Sequence, residues 1–455
     1  MVQQHDNTRS TSGATISAGR GLLALSPIAV FLILYLSVSI VNRDFYKMPL
    51  SIAFIVAAMW ALLLIRDKKP TSARIEVFSR GAANPNILYM IWIFIMAGAF
   101  SALASSIGAV DATVELTLSV LPRYLVLPGL FLTACFISMS IGTSVGTIVA
   151  LTPFAVEVAP LLGMDTAFVT SIVLGGSFFG DNLSFISDTT IAATRTQHVA
   201  MSDKFRMNLR IALPAAIVVL AVYTVLGINS PEVTALSTAG SSNPWPLIIP
   251  YLLVIATATA GLNVMLVLTL GIIATAVLAS VYGTDGFIDM SATMAGGIKD
   301  MSDLIIVTLL AAGLLEVIKH NGGINWLIQV LTRRINGTRG ARATIASLVG
   351  VVNLCTANNT IAIITIGDIA HDISRRFKLD PRRTASILDT TSCIVQCVIP
   401  YGAQTLLAAG LAHVSPVAFL SYHYYAAALA VMVVVAILMK TPAGITPETE
   451  TLQPA

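Results

Sequence analysis

The densest polar segment inside an apolar stretch of this chain lies at residues 175–193. Small hard cations prefer carboxylate, hydroxyl, amide and carbonyl oxygens as ligands. Such groups are costly within a membrane and usually serve a function there. The segment therefore predicts a cation site, and Gly180 predicts a break in the helix that carries it. The candidate cation and proton ligands are Asp181, Asn182, Ser184, Ser187, Asp188, Thr189 and Thr190.

Two carboxylates in this segment suggest how a cation could be coupled to a proton. Removal from water favours the neutral form of a carboxylic acid, whereas a bound cation favours the ionised form. One carboxylate can then hold either a proton or a cation, which is the competition that antiport requires. We expect Asp181 and Asp188 to hold Na⁺ and H⁺ in turn. The alternative is that they cap short helices and only support the fold.

Two other apolar stretches, 124–159 and 342–370, are each interrupted by a short run of small and polar residues, called a knot below without any topological meaning. Non-helical backbone is tolerated at membrane depth only where it is buried in protein or lines a wet cavity. We therefore expect each stretch to form a re-entrant hairpin whose tip reaches a binding site. The first tip offers Thr143, Ser144 and Thr147 as further ligands.

The chain repeats itself with a period of about 215 residues, although the two knots align only with a slip of about two residues. This period places Gln396 at the position of Asp181 and Ala403 at that of Asp188. The second half is therefore predicted to carry a polar site with a different ligand set. It could bind a weaker cation, an organic solute or nothing. Its candidate residues are Thr356, Asn358, Asn359, Thr360, Asp389, Gln396, Gln404 and Thr405.

The composition places these segments in a lipid bilayer. Hydrophobic residues make up 56% of the 455 residues and charged residues 11%, whereas a soluble domain carries about 25% charged residues. A chain this poor in charge cannot cover itself with a polar surface. The motifs typical of ATP-driven pumps and zinc proteases do not occur, and nothing indicates a nucleic-acid partner or a cofactor other than Na⁺.

The distribution of Lys and Arg predicts how the chain crosses the membrane. If the N-terminus is inside and both knots form hairpins, every Lys and Arg is cytoplasmic except Arg43, Lys47, Arg123 and Lys299. This arrangement obeys the positive-inside rule, and it counts Lys204 among the cytoplasmic residues. Both termini are then cytoplasmic, and the membrane is the bacterial inner membrane.

The predicted fold class is an all-α polytopic membrane protein, an inverted repeat of two five-crossing halves, each with a re-entrant hairpin and an interrupted helix. The predicted units are a disordered cytoplasmic N-terminus at 1–20, a first transmembrane repeat at 21–235, a second inverted repeat at 236–440 and a disordered tail at 441–455.

One enzyme motif also occurs, because residues 142–146 fit G-x-S-x-G. A serine nucleophile in that motif needs a strand before it and a helix after it. Here it lies between two membrane helices, with no histidine expected at the same depth. An intramembrane hydrolase is therefore only a remote alternative to a transporter, and we expect no enzyme.

The segment 179–190 resembles the signature of the NhaC-type Na⁺/H⁺ antiporter family, which is close to G-D-x-L-S-P-x-S-D-T-T. The signature residues are kept except that Phe185 replaces the proline. The paired hairpins extend the resemblance to the wider ion-transporter superfamily. It implies cation sites at hairpin tips, a homodimer and elevator-like alternating access.

The function expected from residues and resemblance together is a secondary active transporter that exchanges cytoplasmic Na⁺ for H⁺. The same family includes exchangers of carboxylates and suspected amino-acid carriers. The main alternative is therefore a Na⁺- or H⁺-coupled transporter of an amino acid or small carboxylate.

Overall fold

A computed structural model describes residues 17–42, 48–65, 71–110, 112–113, 122–185, 187–229, 245–260, 262–282, 286–333 and 335–439. The predicted disordered tail and the predicted boundary at 235 lie outside these residues. So does most of the predicted N-terminal segment 1–20, although its last three residues already belong to the first helix.

The described part of the chain folds into helices, and none of its residues lies in a strand. Three short 3₁₀ turns lie at Arg123–Leu125, Trp245–Ile248 and Pro416–Ser421. The helices are α1 Ala18–Asn42, α2 Leu50–Leu64, α3 Thr71–Ala82, α4 Pro85–Ser106, α5 Val126–Ile141, α6 Ser144–Leu161, α7 Thr166–Leu183, α8 Asp188–Gln197, α9 Met201–Ile228, α10 Ile249–Thr259, α11 Val264–Tyr282, α12 Phe287–Asp300, α13 Ser302–His320, α14 Gly323–Thr332, α15 Gly337–Thr356, α16 Asn359–Arg376, α17 Pro381–Val398, α18 Ala403–Ala412 and α19 Tyr424–Leu438.

Nine helical stretches within the described ranges are long and apolar enough to cross a bilayer, and three shorter apolar helices accompany them. Their apolar outer surfaces include exposed residues such as Leu63, Trp92 and Val277. The chain is thus an all-α, multi-pass membrane protein, as its composition predicts. The inverted orientation of the halves and the re-entrant path of the hairpins stay predictions.

The two halves share one register of helix boundaries. The first residues of α6 and α16, 144 and 359, lie 215 positions apart, and so do those of α7 and α17 and of α8 and α18. The hairpin tips follow the same register, because Gly142 (φ 75°) and Ala357 (φ 47°) are both left-handed residues that end the preceding helix. The predicted two-residue slip between the knots is therefore wrong.

Each half places its hairpin and its interrupted helix side by side. In the first half, Ser138 Oγ donates a hydrogen bond of 2.6 Å from α5 to the carbonyl of Ser177 in α7. In the second half, Asn353 Nδ2 donates one of 2.8 Å from α15 to the carbonyl of Ser392 in α17. These bonds occupy equivalent positions and fix each tip against the helix that breaks beside it.

Three further helices, α3, α12 and α14, hold 12, 14 and 10 residues. They are too short for a spanning pattern, so the hydropathy of the sequence does not reveal them. They pack closely all the same, since a Cβ on Gly297 of α12 would lie 2.2 Å from the carbonyl oxygen of Gly98 in α4.

All four cysteines are free and buried in the helix bundle. Cys393 and Cys397 are at most 1% exposed, and Cys135 and Cys355 at most 5%. They act as small apolar packing residues.

Candidate functional site

A cavity of about 360 Å³ lies where both hairpin tips and both interrupted helices meet. Six of its lining residues are predicted ligands of the first site, two more are their neighbours on the first tip, and four are second-half candidates. Segments at the start of α4 and around Asn263 close it. The lining residues on the tips and broken helices are Gly142, Thr143, Ser144, Val145, Asp181, Ser187, Asp188, Thr189, Asn358, Asn359, Thr360 and Gln404.

Asp181 is the buried carboxylate of this cavity, and it is 5% exposed. Ser187 Oγ donates to its Oδ1 at 2.5 Å, and Ser144 Oγ lies 3.4 Å from its Oδ2. Within the described ranges, no Lys or Arg side chain lies within 4.0 Å of it, and the ion pairs found there involve other carboxylates. A buried ionised carboxylate without a countercharge is strongly unfavourable. Asp181 therefore needs a proton or a cation.

The break in the first interrupted helix lies four residues after the glycine that was expected to cause it. Helix α7 continues through Gly180 to Leu183, and α8 begins at Asp188. A Cβ on Gly180 would lie 2.3 Å from Ser138 Cβ and 2.6 Å from the backbone nitrogen of Met139. The glycine thus allows α5 and α7 to approach closely, and the prediction of a break at Gly180 is wrong.

Gly180→Ala should therefore destabilise the protein, because the added methyl group meets backbone in a packed helix pair. Overpacking of this kind costs about 1–3 kcal/mol, so we expect a lower melting temperature for the purified protein. Gly296→Ala in α12 is the matched control, since no atom lies within 4 Å of its Cβ position. Equal melting temperatures for the two variants would contradict this assignment.

The second carboxylate of the signature differs from the first in exposure. Asp188 is exposed at the cavity wall, where it is the first residue of α8 and stabilises the positive end of that helix. Its neighbour Thr189 is buried, and Thr189 Oγ1 lies 2.9 Å from Ser187 Oγ. The structure therefore places Asp181 in the interior and Asp188 at the wall.

Several predicted ligands do not line the cavity. Ser184 Oγ donates to the carbonyl of Met139 at 3.0 Å, and Thr147 Oγ1 donates to that of Thr143 at 3.4 Å. Thr356 Oγ1 donates to the carbonyl of Asn358, and Thr405 is fully buried in α18.

The two predicted sites are joined into one polar network. Gln396 Nε2 donates to the carbonyl of Ala357 at 3.0 Å and to Gln404 Oε1 at 2.9 Å. Gln404 Nε2 in turn donates to Ser144 Oγ at 3.3 Å. Ser144 connects this chain to Asp181, so the amides of the second half lie on the same cavity as the carboxylate of the first.

Asp389 is not part of the cavity wall, and its partner is a lysine that the sequence does not mark as a site residue. Lys204 Nζ lies 2.6 Å from Asp389 Oδ2, and Lys204 is only 1% exposed. The positive-inside count includes Lys204 only as a cytoplasmic charge and does not predict its burial or its ion pair. Nearby Arg206 and Arg210 make the start of α9 look like a basic loop. The spacing of Lys204 and Asn208, which puts both on one helix face, is the signal that could have revealed it.

Asn182 and Thr190 belong to the same buried group. Asn182 Nδ2 lies 3.2 Å from both Asp389 Oδ2 and Thr190 Oγ1. Two predicted ligands of the first site thus face this second polar cluster and not the cavity.

The sequence matches known proteins over most of its length. A sequence model described as the Na⁺/H⁺ antiporter family matches residues 7–228 and again 228–440. The Na⁺/H⁺ antiporter NhaC of Bacillus subtilis is 24% identical over 74% of this chain and 80% of its own length. The malate-2H⁺/Na⁺-lactate antiporter of Bacillus subtilis is 22% identical over 87% and 89%. The arginine/ornithine antiporter ArcD of Halobacterium salinarum is 21% identical over 79% and 81%.

Proposed function

Because this chain belongs to the Na⁺/H⁺ antiporter family, a family of secondary transporters, we propose that it exchanges cytoplasmic Na⁺ for H⁺ at the cavity around Asp181. The exchange proceeds by elevator-like alternating access in a homodimer in the bacterial inner membrane, with both termini in the cytoplasm. The observation that carries the proposal is a buried carboxylate, open to a polar cavity, whose hydrogen bonds from the described residues all come from hydroxyl groups.

Asp181 provides the competition between the two ions. In the proton-loaded state the carboxyl group is neutral, so its burial costs little. In the Na⁺-loaded state the cation supplies the missing countercharge, and the hydroxyl oxygens of Ser144 and Ser187 can add to its oxygen ligands. One ion must leave before the other binds, which couples the two movements.

The hairpin tip and the helix break position these groups. Ser144 is the first residue of α6, directly after the left-handed turn at Gly142. Ser187 is the residue before α8, within the extended break. Both hydroxyls lie at the start of a helix, next to non-helical backbone. A small movement of the hairpin tip or of the helix break therefore changes the contacts of Asp181 without unfolding a helix.

A second candidate function is Na⁺- or H⁺-coupled transport of an amino acid or small carboxylate. It is favoured by the amide-rich wall of Asn358, Asn359 and Gln404, and the buried Nδ2 of Asn359 has no hydrogen-bond partner among the described residues. The names of the malate/lactate and arginine/ornithine antiporters show that relatives of this chain carry such solutes.

Purified protein in liposomes that contain a trapped pH dye separates the two functions. Na⁺/H⁺ exchange predicts movement of protons out of acid-loaded vesicles on addition of Na⁺ alone, and none with choline. Movement only after malate, lactate, arginine or ornithine is added would support the second function. Vesicles without protein give the leak rate, and no response to any of these additions would refute Na⁺/H⁺ exchange and H⁺-coupled solute transport alike.

A further inference from the structure

A fully buried polar cluster lies beside the cavity and is not used by the proposed exchange. It consists of Asn182 at the end of α7, Thr190 in α8, Lys204 and Asn208 in α9, and Asp389 in α17. None of the five residues is more than 1% exposed. They connect both parts of the first interrupted helix to the second half of the protein.

The ammonium group of Lys204 sits among ligands that also suit a metal cation. Its Nζ lies 2.6 Å from Asp389 Oδ2, 2.7 Å from the carbonyl oxygen of Asn182 and 2.6 Å from Thr190 Oγ1. These are a carboxylate, a backbone carbonyl and a hydroxyl, the oxygen types that bind hard cations at about 2.3–2.6 Å. The Asn182 carbonyl also belongs to the last turn of α7, the negative end of that helix.

The cluster contains more hydrogen-bond acceptor oxygens than its N–H and O–H donors occupy. Asn208 Nδ2 donates to the carbonyl of Asn182 at 3.0 Å and to Asp389 Oδ2 at 2.8 Å. Nevertheless the side-chain oxygens Asn182 Oδ1, Asn208 Oδ1 and Asp389 Oδ1 are buried and have no hydrogen-bond partner in the described part of the chain. Unpartnered buried oxygens are costly, and a surplus of them is typical of a site that accepts a cation.

The second half carries apolar residues at the positions that correspond to this cluster. In the 215-residue register, Lys204 corresponds to Phe419, Asn182 to Cys397 and Asp389 to Leu174. All three are buried, with at most 1% of each exposed. Phe419 lies in the 3₁₀ turn Pro416–Ser421, whereas Lys204 lies in α9, so the backbone also differs at this position. The repeat therefore does not supply a second copy of the polar cluster.

We propose that the Lys204 ammonium is a tethered cation that permanently fills a second Na⁺ site formed by Asp389, Asn182 and Thr190. Its presence leaves Asp181 as the buried carboxylate, among the residues that the structure describes, whose counterion can exchange. The inference builds on the proposed function, in which Na⁺ reaches the neighbouring cavity, and it adds that Lys204 limits how many Na⁺ ions the protein holds.

Replacement of Lys204 by a neutral residue tests this directly. Lys204→Gln should bind about one more Na⁺ per chain than the unchanged protein, measured by equilibrium dialysis with radioactive Na⁺. Its melting temperature should also depend more strongly on Na⁺ than that of the unchanged protein, because Na⁺ then neutralises Asp389 as well, whereas choline cannot. Lys319→Gln, on an exposed lysine of α13, is the matched control and should change neither quantity.

Two further variants connect the extra ion to the cluster and separate it from the exchange site. Lys204→Gln with Asp389→Asn should lose the extra Na⁺. Asp181→Asn with Lys204→Gln should keep it, because Asp181 is not one of its ligands. An extra Na⁺ bound to this double variant would support the inference even if the unchanged protein bound no Na⁺ at Asp181. The inference about Lys204 and the proposed exchange at Asp181 can therefore fail separately.

Two results for Lys204→Gln would overturn the inference: an unchanged number of bound Na⁺, and a melting temperature that falls equally in Na⁺ and in choline. Lys204 would then be a structural link between helices. If Lys204→Gln yields no folded protein even in Na⁺, the inference is also overturned, because Na⁺ then does not replace the ammonium group.

Discussion

Asp181→Asn should abolish Na⁺-driven proton movement in liposomes while leaving the protein folded. The asparagine keeps the shape and the hydrogen bond from Ser187 but can neither ionise nor carry a proton. We expect Na⁺ binding at the cavity to weaken roughly 100-fold, equivalent to about 2.7 kcal/mol. The folded protein should be no less stable, because a buried charge that lacks a partner has been removed.

The comparison with other carboxylates makes this prediction specific. Asp188→Asn should reduce Na⁺ affinity less than Asp181→Asn does, because Asp188 is exposed at the cavity wall. Asp289→Asn, on an exposed residue of α12, should leave transport unchanged. If Asp181→Asn transports Na⁺ and H⁺ at the unchanged rate, the exchange site lies elsewhere.

Asp389→Asn should cause a large loss of stability. It leaves the Lys204 ammonium buried without a carboxylate, and breaking a buried ion pair from one side costs about 3–5 kcal/mol. Thermal melting of the purified protein should show a clear decrease that added Na⁺ does not reverse, since no negative charge remains to bind it.

The neutral pair Lys204→Gln with Asp389→Asn is the control for this effect. It removes both charges and should recover much of the stability that Asp389→Asn loses. If the double variant is as unstable as the single one, the loss comes from hydrogen bonding or packing and not from the unpaired ammonium.

Residues that line the cavity could be predicted from the sequence because polar groups are rare in a membrane and so carry much information. The Asp181 segment, both hairpin tips and Gln404 could be identified in this way, and the structure brings them to one cavity. The helix break at 184–187 was misplaced because a glycine can serve close packing as well as a turn, and spacing does not distinguish these uses.

Lys204 shows a different reason for a missed residue. Its neighbours in the sequence are basic, so the charge pattern counts it as one more cytoplasmic cation, and its partner Asp389 is 185 positions away. Only the folded arrangement of α9 against α17 reveals that the two charges neutralise each other. Helices α3 and α12 were missed because they are shorter than a membrane span, and the pattern that identifies spans does not apply to them.

The burial of all four cysteines has a practical consequence for the question of sidedness. Water-soluble maleimides should react slowly with the unchanged chain, because none of its thiols is more than 5% exposed. The protein can therefore serve as its own background for single-cysteine labelling. A cysteine in place of Lys319 or Asp289, labelled in intact cells and in inverted vesicles, would report which side of the membrane each of these two positions in the second half faces.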